Sequence, residues 1–163
     1  FGFKEVEVMS LRPRILYVDD DDANCEMMKY WLDVDCGYDL TAVNDGKTAF
    51  ELIEAEYFDL FLLDYCLPDT TAVHLCRKIR AIDPKVPIIV YSALDRDIDK
   101  ESALAAGANR YLLKPDELHL VKPQLDKLLE LGGKEREART IGFKTRTVHI
   151  SVRQSRRKPT GIV

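Results

Sequence analysis

Hydrophobic and polar positions along the chain switch between two periods five times over. Arg14–Val18 is a short run with β-branched and aromatic residues, the composition of a strand. It gives way abruptly to Asp19-Asp20-Asp21-Asp22. Ala23–Asp33 then sets Met27, Met28, Trp31 and Leu32 at the i, i+3, i+4 spacing of one helical face, and Gly37 is the stop signal. Tyr38–Val43 alternates as a half-exposed edge strand does. Asn44-Asp45-Gly46 reads as a turn or helix start, followed by a helix over Thr48–Glu56 with Ala49, Phe50, Leu52 and Ile53 on its apolar side. Phe58–Leu63 is nearly all apolar, as a strand covered on both faces must be, and it stops at Asp64. Leu67-Pro68-Asp69-Thr70 is a loop, and Thr71–Ala81 a third helix closed by Asp83-Pro84. Pro87–Tyr91 is a second buried strand running into Ser92, and Asp95–Ala106 a helix with Gly107 at its C-cap. Arg110–Leu113 is the last strand, ending at Lys114-Pro115. Leu118–Leu131 supplies the last helix. Its regular part is expected to begin at Pro123, because proline is tolerated at the first helical position but not in an interior.

Strict strand–helix alternation predicts an α/β fold, an open parallel sheet with helices on both faces. Residues 13–131 form this unit, 1–12 an N-terminal extension and 132–163 a tail of different character. The tail has no comparable amphipathic pattern, and the charge changes sign with it. Residues 1–131 carry 15 Lys and Arg against 26 Asp and Glu, whereas residues 132–163 carry 9 against 2. The acidic body argues against nucleic-acid binding through its main surface, since phosphates repel it. The basic tail reads first as a solvated extension, with a nucleic-acid or acidic-partner contact as the functional alternative. The apolar runs, such as Leu60–Leu63 and Val86–Tyr91, fall far short of the roughly 18 residues of a membrane span. The opening residues carry no cationic segment followed by an apolar one. Both features point to a cytoplasmic protein with no membrane partner. Cys25, Cys36, Cys66 and Cys76 show no paired spacing, so reduced, mostly buried thiols are expected rather than a zinc site or disulfide framework.

Ligands of an open parallel sheet bind beyond the carboxyl ends of its strands. At that rim the first strand delivers Asp19 and Asp20, the third Asp64, the fourth Ser92 and the fifth Lys114. Taken singly, each has an ordinary explanation: a helix cap for the acids following the first strand, a turn residue for Asp64, a capping hydroxyl for Ser92, a surface cation for Lys114. Their joint placement directly after buried runs is what points to a site. Three carboxylates close together repel by roughly 4 kcal/mol per pair at 4 Å and an effective dielectric of about 20. A divalent cation relieves that repulsion, and a small set of oxygen ligands favours Mg2+. An Asp carboxylate is a competent phosphoryl acceptor. Lys114 and Ser92 can serve the phosphate oxygens as cation and donor.

These residues resemble those of the receiver domain of bacterial two-component response regulators. The resemblance rests on Ile15-Leu16-Tyr17-Val18-Asp19-Asp20, on Asp59-Leu60-Phe61-Leu62-Leu63-Asp64 with Leu67-Pro68, on Val86-Pro87-Ile88-Ile89-Val90-Tyr91-Ser92-Ala93, and on Ala106-Gly107-Ala108-Asn109-Arg110-Tyr111-Leu112-Leu113-Lys114-Pro115. It covers residues 13–131 and departs from the family pattern at Ala72, where Gly is usual, and at Asp116, where an aromatic residue is common. It implies a flavodoxin-like fold with five parallel strands in the order 2-1-3-4-5. It implies that Asp64 is the phosphoacceptor and takes its phosphoryl group from a histidine kinase or a histidine phosphotransfer protein. Asp19, Asp20, Asp64 and the backbone carbonyl of Cys66 then hold Mg2+, Ser92 and Lys114 sense the phosphoryl group, and Tyr111 is the aromatic switch. The face made by the fourth helix, fifth strand and last helix would act on a downstream protein partner. The chain would catalyse only its own phosphorylation and dephosphorylation. Two competing classes share parts of this pattern. An aspartate-dependent phosphohydrolase would want a second Asp two residues after Asp64, where Cys66 stands. A flavin-binding carrier would want a Ser/Thr/Gly-rich loop where Asp19–Asp22 stand.

Overall fold

The computed structural model describes residues 12–132. Its order of elements is β1 (Arg14–Val18), α1 (Asp22–Met28), β2 (Asp39–Val43), α2 (Gly46–Ala55), β3 (Leu60–Leu63), α3 (Ala72–Ile82), β4 (Ile88–Ser92), α4 (Asp97–Ala105), β5 (Arg110–Leu113) and α5 over residues 118–132. All strand pairs are parallel, in the order β2-β1-β3-β4-β5. The expected topology is therefore the one observed.

Each of the three inner strands is buried along nearly its whole length, because helices cover both faces. Alternate residues feed two cores. Leu16, Val18, Phe61, Leu63, Ile88 and Val90 pack with α2, α3 and α4 residues such as Ile53, Leu75 and Ala103. Ile15, Tyr17, Leu60, Leu62, Ile89 and Tyr91 pack with Met28 and Leu32 of the α1 region and Val121 and Leu125 of α5. This period-two division explains why β1, β3 and β4 read as unbroken apolar runs.

The register brings the strand ends level. Val18 lies opposite both Val43 and Leu63, Leu63 opposite Val90, and Ser92 opposite Leu113. The ladder runs one step further: the amides of Asp19, Asp64 and Lys114 donate to the carbonyls of Val43, Val18 and Ser92. Asp19, Asp64, Ser92 and Lys114 are thus anchored through their backbones before their side chains do anything.

Three local expectations need correction. The first helix is not uniformly α-helical: beyond Met28 it widens to a π-helical stretch over Lys29–Asp35, closed by the Cys36 amide on the Trp31 carbonyl. The last helix starts before Pro123. The amides of Leu118 and Leu120 find acceptors in Pro115 and Glu117, and Val121 and Leu125 are fully buried. Core anchoring on both sides of Pro123 holds the turn that precedes it. Of the four free cysteines, only Cys25 and Cys76 are buried; Cys36 is half-buried and Cys66 exposed. The loop thiol follows Asp64 at the rim, where the sheet no longer covers it.

The stop signals behave as the sequence suggests. Gly37 and Gly107 have φ of 77° and 111°, a region that L side chains rarely adopt. The amide of Gly107 donates to the Leu104 carbonyl, ending α4. Ala72 begins α3 and is fully buried, so the absent glycine does not displace the helix start. Among the described residues, no helix is long and apolar enough to cross a membrane.

Candidate functional site

The rim gathers the residues that the strand ends deliver. Asp19 and Asp64 are buried and Asp20 is exposed, and each offers a carboxylate oxygen within 4.8 Å of the others. Lys114 reaches between them: its ammonium binds Asp19 Oδ2 and lies 3.5 Å from Asp64 Oδ1. The Lys114 ammonium also sits 5.4 Å from the centre of the Tyr91 ring, a favourable cation–π distance. Lys114-Pro115 is a cis peptide bond.

Asp19 is the most heavily bonded of the acids. Its Oδ2 accepts from the Tyr17 hydroxyl as well as from Lys114. Its Oδ1 accepts from the Asp21 backbone amide at 3.0 Å, and the side-chain Nδ2 of Asn24 lies 3.4 Å from each oxygen. Burial pushes the Asp19 carboxyl up, but Lys114, Tyr17 and the Asp21 amide more than offset this and hold it below its ordinary value. Asp64 has less support. Its Oδ1 accepts from the Tyr65 amide at 2.8 Å. Burial dominates there, outweighing Lys114 and Ser92, and holds its carboxyl above the ordinary value.

Asp21 and Asp22 have the capping and bracing duties expected of loop acids. Asp21 is the N-cap of α1, accepting from the Asn24 amide at 3.0 Å. Asp22 accepts from Asn44 at 2.9 Å, which ties the β1–α1 loop to the end of β2. Asp19 and Asp20 are left to form the carboxylate cluster with Asp64.

Ser92 is buried at the end of β4, and its Oγ accepts from the Leu94 amide at 3.4 Å. Tyr111 is half-buried on β5 beside Val90. Its hydroxyl donates to the Leu94 carbonyl at 2.8 Å, so Ser92 and Tyr111 are joined through one short loop. Its ring lies 6.3 Å from that of Tyr65, centre to centre, and Tyr65 is the residue after Asp64. Cys66 forms an isolated antiparallel bridge with Thr71. The bonds beside that bridge run from the Leu67 amide to Thr70 and from the Ala72 amide to Tyr65. They use neither backbone polar group of Cys66.

Asp19, Asp20, Asp64 and Lys114 come together at this rim with Ser92 at the end of β4, whereas Tyr111 lies within β5 and Cys66 in the loop after Asp64. The sequence reading missed Tyr17. It looked like one more apolar strand residue, yet in a strand i and i+2 share a face, so Tyr17 had to lie on the side of Asp19. Outside the cluster, Asp99 is buried on α4 and held by Arg96 through two bonds of 2.6 and 3.0 Å. No periodicity distinguishes Asp99 from a surface acid.

The carboxylates suit a divalent cation on electrostatic grounds. Two unit charges 4.8 Å apart repel by about 3.5 kcal/mol at an effective dielectric of ~20. Three carboxylates against one ammonium leave two negative charges in a partly buried pocket. The donor set is oxygen only, and it is too small for a full cage, which favours an ion that retains water, such as Mg2+.

A family profile described as the response regulator receiver domain matches residues 15–123. The chain belongs to that family. It is 33% identical over 105 residues to the alkaline phosphatase synthesis transcriptional regulatory protein PhoP of Bacillus subtilis, covering 64% of this chain and 43% of PhoP. The CheY-like response regulator receiver domain protein of Methanospirillum hungatei superposes with a TM-score of 0.72 at 29% identity, covering 76% of this chain and 98% of that one. A receiver domain of a sensor histidine kinase from Pseudomonas aeruginosa was solved with a magnesium ion coordinated in its active-site cleft. It matches at 33% identity with a TM-score of 0.62, covering 73% of this chain and 95% of that one. The chain spans about half the length of the curated relatives it matches.

Proposed function

We propose that this receiver accepts a phosphoryl group on Asp64 and uses it to bias the α4–β5–α5 face toward a partner protein. The observation that carries this reading is the meeting of Asp19, Asp20, Asp64 and Lys114 at one end of the sheet, with Asp64 sharing the Lys114 ammonium. A carboxylate oxygen of Asp64 attacks phosphorus, and the bond to the departing histidine nitrogen breaks as the acyl phosphate forms. Positioning and charge neutralisation do most of the work in such a transfer.

Asp19, Asp20, Asp64 and the Cys66 carbonyl are the groups proposed to hold Mg2+. When bound, Mg2+ supplies positive charge at the phosphoryl oxygens. Lys114 turns toward one of those oxygens, and the Ser92 hydroxyl donates to another. Moving Ser92 pulls on the β4–α4 loop, to which Tyr111 is tied through Leu94. The Tyr111 ring, packed near Tyr65, then changes its seat. The outcome is a shift in populations between two arrangements of that face.

The phosphoryl donor in this reading is a histidine kinase or histidine phosphotransfer protein, and the setting is cytoplasmic. Residues 13–131 are the receiver, with 1–12 and 132–163 as extensions. The only chemistry assigned to the chain is its own phosphorylation and dephosphorylation. Incubation with acetyl phosphate should label the protein only when Mg2+ is present, and Asp64→Asn should abolish the label. Full labelling of Asp64→Asn would overturn the assignment.

A second reading gives residues 132–163 a nucleic-acid contact, favoured by 9 Lys and Arg against 2 Asp and Glu there. It predicts salt-sensitive DNA binding that disappears when these residues are deleted. Binding that survives the deletion would exclude the tail as its cause.

A further inference from the structure

The Lys114 ammonium has two assignments that conflict. It binds Asp19 Oδ2 and lies 3.5 Å from Asp64 Oδ1. When it turns to a phosphoryl oxygen on Asp64, it gives up part of its hold on Asp19. Asp19 is 1% exposed, so its oxygens depend chiefly on donors from the protein. A buried carboxylate oxygen left without a donor is costly.

The oxygen that Lys114 would leave is also the oxygen that Tyr17 occupies. Tyr17 is fully buried in β1, flanked by the α1 and α5 core, and its hydroxyl donates to Asp19 Oδ2. The opposite oxygen has the Asp21 amide. Asp19 is therefore gripped on both oxygens by groups that do not depend on Lys114. We propose that Tyr17 is a positioning residue: its hydroxyl fixes the Asp19 carboxylate for Mg2+ and keeps it fixed when Lys114 turns to the phosphoryl group. Resting on the receiver reading above, this gives one buried aromatic a role that packing alone would not require.

The hydrogen-bond partners of a metal-ligating carboxylate typically set affinity by 10- to 100-fold. Tyr17→Phe keeps the ring in the core and removes one oxygen. Calorimetric titration of the full chain with MgCl2 should show affinity about tenfold weaker in Tyr17→Phe. The urea midpoint measured in EDTA should stay close to that of the parent, because packing is preserved and Lys114 still donates to Asp19 Oδ2. In an Asp19→Asn background, adding Tyr17→Phe should change Mg2+ affinity by less than about twofold, since the hydroxyl acts only through Asp19.

A Tyr17→Phe protein that binds Mg2+ within twofold of the parent overturns the positioning role and leaves the receiver reading intact. Equal losses in the parent and Asp19→Asn backgrounds also overturn it, as does a Tyr17→Phe chain that no longer folds. If the parent itself binds no Mg2+, both this role and the metal assignment fail together.

Discussion

Asp19 and Asp64 are chemically identical side chains at the same level of one sheet, yet their surroundings drive them apart. Asp19 has four donors around it, from Tyr17, Asp21, Asn24 and Lys114, whereas Asp64 is dominated by its burial. The more weakly supported carboxylate is the better placed to react, because fewer bonds must be broken to reach it. Its raised pKa means that the folded state binds the Asp64 proton more tightly than the unfolded chain does. This contribution to stability is therefore fully present below the unfolded pKa, about 3.9, and is lost as pH rises through the folded value. In EDTA at neutral pH, Asp64→Asn should unfold at higher urea than the parent, and the gap should close as the solution is acidified. A variant less stable than the parent in EDTA at neutral pH would show that Lys114 outweighs burial. Asp19, Asp64 and Ser92 were legible in the sequence because each closes a buried run, where a polar residue needs a reason, and Asp20 and Lys114 because they continue the same row of strand ends. Tyr17 was not, because a buried tyrosine in a strand looks like core until its hydroxyl is given a partner.

At the scale of elements, the loops on the rim are braced against one another. Asp69 of the β3–α3 loop accepts from the amides of Gly46 and Lys47 at 2.7 and 2.8 Å, so the loop that follows Asp64 caps the start of α2. Asp45 caps the same helix through the Thr48 amide at 2.7 Å. The close approach leaves no room at Gly46: a Cβ there would lie 2.2 Å from Thr70 Cγ2 and 2.9 Å from Asp69 Oδ1. Gly46→Ala should therefore lower stability by about 1–3 kcal/mol and loosen the loop beside Asp64. Urea unfolding and hydrogen exchange at Gly46 and Lys47 would register this, and a midpoint unchanged from the parent would contradict it. Element type and order could be read from the change of period and from Gly37, Gly107 and the loop acids. Two helix limits could not. The π-helical stretch past Met28 carries no local marker, and Pro123 suggested a start that the buried Val121 overrides. In both cases tertiary packing outweighs local preference, which a one-dimensional pattern does not contain.

For the whole molecule, a five-stranded sheet with a core on each face holds the rim residues in fixed register, so the site inherits its geometry from the fold. β1, β3, β4 and β5 each contribute a group whose backbone is anchored to a neighbouring strand, and a change at Ser92 can reach Tyr111 and α4 through the single loop they share. The family and topology were legible because four motif segments occur in order along one chain. The tail beyond residue 131 differs from the receiver in charge and has no matching motif, and its residues from 133 on fall outside the described residues. If Asp64 receives the phosphoryl group, that group can be located chemically. After reaction with acetyl phosphate and Mg2+, borohydride reduction converts an aspartyl phosphate to homoserine, which peptide mass spectrometry can place. Homoserine is expected at position 64 and at no other aspartate; homoserine at Asp19, Asp20 or elsewhere, with position 64 unmodified, would rule Asp64 out as the acceptor.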